Sequence, residues 1–214
     1  MGDPMPNTLT PQERLDGWVL LFDGVNASKN FRGYRKTDLP EGWVAENGVL
    51  VRKGPGGDIV TREQYTDFEF TCDWMVKAGG NSGIMWHVGE ERPAPWETGP
   101  EMQILDDAAH VDGRTPETSA GACYALYPAP VGAVKPAGSW NRARMLVQGP
   151  KVELWLNGVK TASFDTSSDD WKARIAKSKF KDMPAFATLD RGVIALQDHG
   201  DEVAFRNIKV RPIK

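Results

Sequence analysis

The sequence predicts an all-β fold, a sandwich of two antiparallel sheets with one short helix. The 214-residue chain contains many short segments that are apolar or that alternate apolar and polar residues. Tight-turn signals separate most of these segments, and only one stretch has a helical pattern. A parallel α/β sheet is disfavoured because each crossover between parallel strands needs about a dozen residues, usually helical.

The first half of the chain is expected to form strands and one hairpin. The predicted strands cover residues 17–22, 43–51, 58–61 and 67–77. The hairpin turns at Asn47-Gly48, because a type I′ turn needs positive φ at both central positions. The last of these segments alternates cleanly, and the side chains expected to face inward are Phe68, Phe70, Cys72, Trp74 and Val76.

The second half adds further strands and the predicted helix. The strands fall within residues 79–107, where a long loop joins two of them, and at residues 121–126, 140–148, 151–156, 159–164, 192–199 and 203–210. The helix covers residues 168–180, with Ser168 as its N-cap, acidic residues in its first turn and lysines near its end.

The length of the chain predicts one domain, and its charge and hydropathy argue against nucleic acid and membranes as partners. A flexible segment over residues 1–16 is expected to precede a single sandwich over residues 17–214. The net charge of -3 is spread along the chain, and no basic run is interleaved with aromatic residues as nucleic-acid binding would need. No apolar stretch reaches the roughly 18 residues of a spanning helix, which argues against membrane insertion. The N-terminal residues also lack the apolar core of a signal peptide.

Cysteines and short motifs narrow the chemistry further. Cys72 and Cys123 are too few for a disulfide framework, and packed thiols are favoured over a bridge between the two. The sequence has no HExxH, CxxC, GxSxG or glycine-rich phosphate loop. Zincin, serine-hydrolase and nucleotide-cofactor functions therefore lack support.

Polar side chains concentrate on the two strands within residues 79–107. Glu101 and Gln103 share one face of their strand because side chains alternate, and Asn81 and His87 lie on the strand before it. Asp106 follows directly. A carboxylate beside an amide, with an imidazole on the neighbouring strand, can bind a polyol or hold a metal ion. The alternative is an ordinary solvated sheet face.

A second polar pair lies near the C-terminus, where Gln197 and His199 share a face. If both pairs project from one face of one sheet, they form a cleft that contains a carboxylate, amides and imidazoles. For each of the three histidines, which include His110, a structural or surface role is an equally good interpretation.

Tryptophans and one lysine add candidate contacts to this cleft. Trp86, Trp96 and Trp140 border it in sequence, and an indole face can stack on a sugar ring. Lys135, in a proline-bounded loop, could supply a cation to a developing oxyanion, although most loop lysines are only solvated.

An ordered set of short motifs resembles one bacterial family. The motifs are LLFDG at residues 20–24, GGNSGI at 79–84, TGPEMQILDD at 98–107, KPAGSWN at 135–141, LNG at 156–158, LQDHG at 196–200 and FRNI at 205–208. They cover nearly the whole chain in order. The family is that of the 3-keto-disaccharide hydrolases, also described as 3-keto-glucoside 1,2-lyases and 3-keto-2-hydroxy-glucal hydratases.

The resemblance implies a concanavalin A-like jelly roll with a carbohydrate site on its concave face, in a periplasmic or secreted protein. Glu101, Gln103, Gln197 and His199 stand at matching motif positions, whereas many relatives have an arginine or another polar residue in place of His87. The implied substrate is a sugar with a ketone at carbon 3, which acidifies the hydrogen on carbon 2. A base can remove that hydrogen, and the enolate then expels the group on carbon 1, with or without later hydration.

Roles follow from this chemistry as expectations. The expected catalytic residues are Glu101, His199 and Lys135, and the expected substrate contacts are Asn81, Gln103, Trp140, Gln197 and Trp86. A divalent metal ion held by Glu101 with His87 or His110 is an alternative to Lys135 as the electrophile. The oxidised sugar would come from a separate sugar 3-dehydrogenase, because the chain has no nicotinamide fingerprint. The competing functions are a non-catalytic carbohydrate-binding module and a structural domain.

Overall fold

The computed structural model describes residues 5–213 and contains thirteen strands within them. They are β1 (Val19–Leu20), β2 (Phe31–Gly33), β3 (Trp43–Glu46), β4 (Val49–Arg52), β5 (Ile59–Thr61), β6 (Phe68–Val76), β7 (Asn81–Val88), β8 (Glu101–Leu105), β9 (Asn141–Gln148), β10 (Lys151–Leu156), β11 (Val159–Asp165), β12 (Val193–Leu196) and β13 (Val203–Pro212). All paired strands are antiparallel. The predicted all-β sandwich is therefore confirmed.

The strands form two sheets. The eight-stranded sheet runs in the order β11-β10-β9-β6-β13-β4-β3, with β1 pairing to β13. The five-stranded sheet runs in the order β2-β5-β12-β7-β8. Strands β3 and β4 form the hairpin at Asn47-Gly48, where both residues have positive φ as the turn type requires.

The main core lies between the two sheets. The inward side chains of β6 are Phe68, Phe70, Cys72, Trp74 and Val76, all buried as predicted. The five-stranded sheet contributes apolar side chains from the other side, among them Ile84, Trp86, Met102 and Ile104. Because side chains alternate along a strand, the residues between these point away from the core, to the outer face of the five-stranded sheet.

Two α-helices occur within residues 5–213, where the sequence predicts one. Helix α2 (Asp169–Lys177) begins at the predicted N-cap Ser168 but ends before Lys179. Helix α1 (Pro11–Leu15) lies inside the segment predicted to be flexible, and a capping box between Thr10 and Glu13 begins it. Five residues give almost no apolar periodicity, so the sequence pattern does not detect it.

Contacts attach this N-terminal segment to β13. Asn7 and Asn207 exchange two hydrogen bonds, of 2.6 and 2.8 Å. Lys209 donates to both carboxylate oxygens of Glu13, at 2.8 and 3.0 Å. Part of the segment 1–16 is thus packed on the eight-stranded sheet, while residues 1–4 lie outside the described residues.

Residues 121–126 do not form the predicted strand. They make turns, with isolated bridges from Cys123 to Met102 and to Tyr127. Positive φ at Gly121 and Ala125 curls the chain here. Cys72 and Cys123 are both free and buried, so packed thiols are confirmed and the bridge is absent. Within residues 5–213 no helix is long and apolar enough to cross a membrane.

Candidate active site

A polar pocket of about 220 Å³ lies on the outer face of the five-stranded sheet. Its lining residues are Asn81, Trp96, Glu101, Gln103, Tyr124, Lys179, Gln197 and His199. Strand register explains the convergence, because Gly83 of β7 pairs with Gln103 of β8, and the Gln197 amide donates to the Gly83 carbonyl at 2.9 Å. The three segments therefore present these polar side chains side by side.

Glu101 is the most perturbed group in the pocket. Its side chain lies across Gly83 of the neighbouring strand, and the residue is buried. Burial raises the pKa of the Glu101 carboxyl to about 8, the nearby carboxylates of Asp58 and Asp112 add to the increase, and Lys179 opposes it. At neutral pH Glu101 is therefore mostly a protonated acid and can donate a proton.

Three amide side chains that line the pocket together with Glu101 have unused acceptors. Asn81 Oδ1, Gln103 Oε1 and Gln197 Oε1 are buried and have no hydrogen-bond partner among residues 5–213. The Gln103 amide nitrogen donates to the Thr118 carbonyl at 3.2 Å, which fixes the orientation of that side chain. Buried carbonyl oxygens without partners are costly, so this cluster is suited to receive donors from a ligand.

Two histidines lie at the edge of the pocket. The rings of His110 and His199 are 6.4 Å apart, nearly edge to face. His110 is fixed, because its Nδ1 accepts a hydrogen bond from the Asp112 amide at 3.1 Å and its Nε2 lies 3.5 Å from Asn81 Nδ2. His199 is exposed, so its imidazole is accessible to a bound molecule.

Lys179 supplies the cation of the pocket and is not among the site residues predicted from the sequence. The residue is exposed as a whole, but its ammonium group lies 4.2 Å from the Tyr124 ring centroid, 5.2 Å from Phe180 and 5.7 Å from Trp96. Partial burial lowers the pKa of Lys179, against the opposite influence of Glu101 and Asp112. In the sequence, Lys179 lies among the lysines at the end of the predicted helix, where a solvated role is expected. In the structure, α2 ends two residues earlier, at Lys177, and Lys179 lies in the segment after it.

Most of the predicted site residues meet in this pocket. Asn81, Glu101, Gln103, Gln197 and His199 all line it. Of the three tryptophans that border the predicted cleft, only Trp96 lines the pocket, with 36% of its surface exposed.

Trp86 and His87 lie elsewhere, which corrects their predicted positions. Trp86 points into the core, 1% exposed, with its ring 6.4 Å from that of Phe164. The pairing of β7 with β12 shifts register near Met85 and Val88, and His87 has positive φ there. This bulge breaks the alternation and directs His87 to the Thr66 carbonyl, 2.7 Å from its Nε2.

Lys135 and Trp140 are also separate from this pocket. Both line a different cavity, beside β6, β9 and β13 of the eight-stranded sheet. Lys135 donates to the Trp140 carbonyl at 3.2 Å, and the Trp140 ring packs under the guanidinium of Arg206 at 4.1 Å. The motif that contains them is thus not part of the polar pocket.

The predicted metal pair of Glu101 and His87 is not formed, because the two side chains line different cavities. The part of the chain that the structure describes contains no group of three or more His, Cys, Asp or Glu side chains arranged to hold a metal ion. Oxygen donors are nevertheless available, since the three side chains with unpartnered amide oxygens line the same pocket as Glu101.

A β-sandwich with a carboxyl group, an imidazole and amides clustered on one outer sheet face is typical of proteins that act on carbohydrates. Comparison with known proteins identifies the group within this class. The sequence matches the 3-keto-alpha-glucoside-1,2-lyase-like domain over residues 17–211, and the chain belongs to that family.

Individual relatives agree with this assignment. The chain is 30% identical to a 3-keto-disaccharide hydrolase of Bacteroides thetaiotaomicron, covering 92% of this chain and 78% of that protein. A crystal structure from Parabacteroides distasonis, provisionally named a glycosyl hydrolase, is 36% identical with a TM-score of 0.91, over 98% of this chain and 100% of that one. A Bacillus subtilis protein with a galectin-like fold, 12% identical with a TM-score of 0.52 over 96% and 94% of the two chains, shares the fold alone. The predicted concanavalin A-like jelly roll is confirmed.

Proposed function

We propose that the protein cleaves the glycosidic bond of 3-keto-glucosides by removing the hydrogen on carbon 2 and eliminating the group on carbon 1. One observation carries the proposal: the pocket combines an acid with a pKa raised to about 8, an accessible imidazole and a lysine. Family membership and the 3-keto-disaccharide hydrolase relative support the substrate class.

The amides and one indole bind the sugar. The unpartnered oxygens of Asn81, Gln103 and Gln197 accept hydrogen bonds from sugar hydroxyls, which satisfies buried groups that the free protein leaves unpaired. Trp96 presents an exposed indole face at the same pocket, on which a sugar ring stacks.

His199 is the base of the reaction. It takes the proton from carbon 2, and the electrons of that bond form an enolate with the ketone on carbon 3. The Lys179 ammonium stabilises the negative charge on the enolate oxygen, the role expected of Lys135 from the sequence. An imidazole is the side chain that most often acts as a general base in enzymes.

Glu101 is the acid. The enolate collapses, the bond from carbon 1 to the glycosidic oxygen breaks, and that oxygen takes the proton of the Glu101 carboxyl, which is present at neutral pH because the pKa is about 8. The products are an alcohol and a sugar with a double bond between carbons 1 and 2. Addition of water to that double bond gives the same products as hydrolysis.

The ketone on carbon 3 must be present before this reaction begins. The chain has no dinucleotide-binding fingerprint, and elimination itself neither oxidises nor reduces the sugar overall. A separate sugar 3-dehydrogenase therefore supplies the substrate.

A second candidate for the group that stabilises the enolate is a divalent cation. Its ligands would be Glu101 with the oxygens of Asn81, Gln103 and Gln197, a set of hard oxygen donors that fits Mg²⁺, Ca²⁺ or Mn²⁺ better than Zn²⁺. Such an ion would act as a Lewis acid toward the enolate. Removal of divalent ions with EDTA, followed by re-addition, tests this: a resident ion predicts that turnover stops and resumes, and unchanged turnover removes the ion from the mechanism.

The test of the proposed function is incubation of the protein with a 3-keto-disaccharide such as 3-keto-trehalose, following glucose release. In D₂O, elimination with reversible proton transfer or later hydration places deuterium on carbon 2, whereas direct hydrolysis does not. Glu101→Gln and His199→Ala should each reduce release at least about 100-fold. Saturable sugar binding without release by the wild-type protein would instead establish a carbohydrate-binding module.

A further inference from the structure

The His199 side chain makes few contacts with the rest of the protein. It is exposed, and its ring makes no hydrogen bond within residues 5–213, although it lies against the His110 ring. Strand β12 ends at Leu196, so no strand pairing includes His199. The position of the His199 Cα in the pocket therefore depends on the contacts of the backbone on either side of it.

Residues before His199 are attached to the five-stranded sheet. Ser82 Oγ donates to the Gln197 carbonyl at 2.8 Å. The Asp198 amide donates to Asp58 Oδ1, also at 2.8 Å. Asp58 directly precedes β5, so the chain next to His199 is fixed to the strand that borders β12.

Residues on the other side are attached to the eight-stranded sheet. Arg52, at the end of β4, donates to the Gly200 carbonyl at 2.5 Å and places its Nε 2.6 Å from Asp198 Oδ1. Asp198 also accepts from the amides of Gly57 and Gly200, each at 3.0 Å. The Arg52 and Asp198 side chains are only 12% and 7% exposed, so the loss of either would leave a poorly solvated charge without its partner.

We propose that Arg52, Asp58 and Asp198 are positioning residues that hold His199 for proton removal from carbon 2. This inference rests on the proposed function. None of the three lines the pocket. Their contacts attach the residues immediately before and after His199 to both sheets of the sandwich. Asp58 also contributes to the raised pKa of Glu101, and Asp58→Asn and Asp58→Ala remove that charge alike. A displacement of about 1 Å at a catalytic group can reduce the rate about 100-fold.

Asp58 offers a matched pair of variants. Asp58→Asn keeps an oxygen that accepts from the Asp198 amide, whereas Asp58→Ala removes it. Asp58→Ala should lower kcat for 3-keto-trehalose about 10- to 100-fold with KM within about twofold. Asp58→Asn should keep kcat within about threefold of wild type at the pH optimum. Should Asp58→Ala fail to fold, Arg52→Met against Arg52→Lys gives the same comparison, because lysine retains the charge and a donor.

Two further readouts separate positioning from general loss of structure. In a protein already carrying His199→Ala, the added Asp58→Ala should not reduce the residual slow release further, since residues acting as a unit are not additive. The His199 ring signals in ¹H–¹³C NMR spectra should shift in Asp58→Ala and not in Asp58→Asn.

Wild-type kcat in Asp58→Ala would overturn the inference, as would an equal decrease of kcat in Asp58→Ala and Asp58→Asn. Unchanged His199 NMR signals in Asp58→Ala would overturn it too. A wild-type protein that releases no glucose refutes the proposed function instead. In that case the NMR comparison still decides whether Asp58 positions His199.

Discussion

A Cβ atom on Gly83 would lie 2.9 Å from Cγ of Glu101, and closer still to its carboxyl group. The Glu101 side chain therefore occupies the space that any other residue at position 83 would fill. Gly83 is not in the left-handed region of φ, so the requirement for glycine is one of space and not of backbone conformation. Gly83, the third glycine of the GGNSGI motif, thus leaves the space that the side chain of the proposed acid occupies.

The first prediction is that Gly83→Ala abolishes most turnover while the fold persists. The new methyl group must displace the Glu101 carboxyl, and misplacement of a catalytic group costs about 100-fold in rate. Gly54→Ala is the control, since its nearest contact would be an ordinary 3.6 Å from Gly42 Cα. Steady-state kinetics of both variants, with circular dichroism to verify folding, make the comparison. Wild-type kinetics in Gly83→Ala would contradict the placement of Glu101.

The second prediction concerns stability and pH. The Glu101 pKa rises from its usual 4.5 to about 8 on folding, so between these values the folded state retains a proton that the unfolded state has released. The contribution of Glu101 to wild-type stability should therefore fall as pH increases from about 4.5 to 8, by on the order of 4 kcal/mol. Glu101→Gln does not titrate and should unfold at higher denaturant concentration than wild type at pH 8, with the difference vanishing toward pH 4.5.

Glu90→Gln is the matched control, with the opposite sign. The hydrogen-bonded ion pair with Arg32 lowers the pKa of Glu90, so its carboxylate stabilises the folded state at neutral pH and that contribution is lost on acidification. Glu90→Gln should thus be less stable than wild type at pH 7. Urea unfolding at several pH values measures both variants, and equal pH profiles for Glu101→Gln and wild type would refute the raised pKa.

The third prediction is an alkaline limit to catalysis. If protonated Glu101 donates to the leaving group, kcat/KM should fall above about pH 8, tenfold per pH unit. With a substrate whose leaving group needs no proton, such as a 3-keto-glucosyl fluoride, kcat/KM should not decrease in this alkaline range. A decrease that persists unchanged with the fluoride would assign it to a group other than Glu101.

Alternation along strands explains which parts of the site the sequence predicts. Glu101, Gln103 and Asn81 lie on regular strands, where a period of two and antiparallel register are enough to bring them together. His87 follows the same pattern in sequence, but the bulge in β7 depends on pairing with β12, a tertiary feature that the local sequence does not reveal.

The positions of loop residues are a second feature that the sequence pattern does not predict. Lys135, Trp140 and Lys179 all lie outside regular strands, and their positions depend on how long connections pack over the sheets. The motif containing Lys135 is prominent in sequence yet lies on the eight-stranded sheet. The periplasmic or secreted location stays a prediction.

The fourth prediction separates the two tryptophans. Trp96→Ala should raise KM for a 3-keto-disaccharide about tenfold, because loss of one stacked ring costs about 1 kcal/mol or more. It should destabilise the fold less than Trp86→Ala does, because 36% of the Trp96 surface is exposed. Trp86→Ala should instead destabilise the fold by about 3–5 kcal/mol, since it empties a core position. Kinetics and thermal unfolding of both variants test this, and an unchanged KM in Trp96→Ala would remove it from the substrate site.

The fifth prediction decides which lysine is the electrophile. Lys179 shares the pocket with Glu101, whereas Lys135 lies at a cavity beside the other sheet, so Lys179→Met should lower kcat about 100-fold or more and Lys135→Met should leave it near wild type. Lys179→Arg keeps the charge and tests whether charge alone is sufficient, because the broader guanidinium must fit among the same aromatic rings. Loss of turnover in Lys135→Met with full turnover in Lys179→Met would reverse the assignment. Because both variants remove one positive charge, any difference between them reflects the position of the ammonium group and not the net charge of the protein.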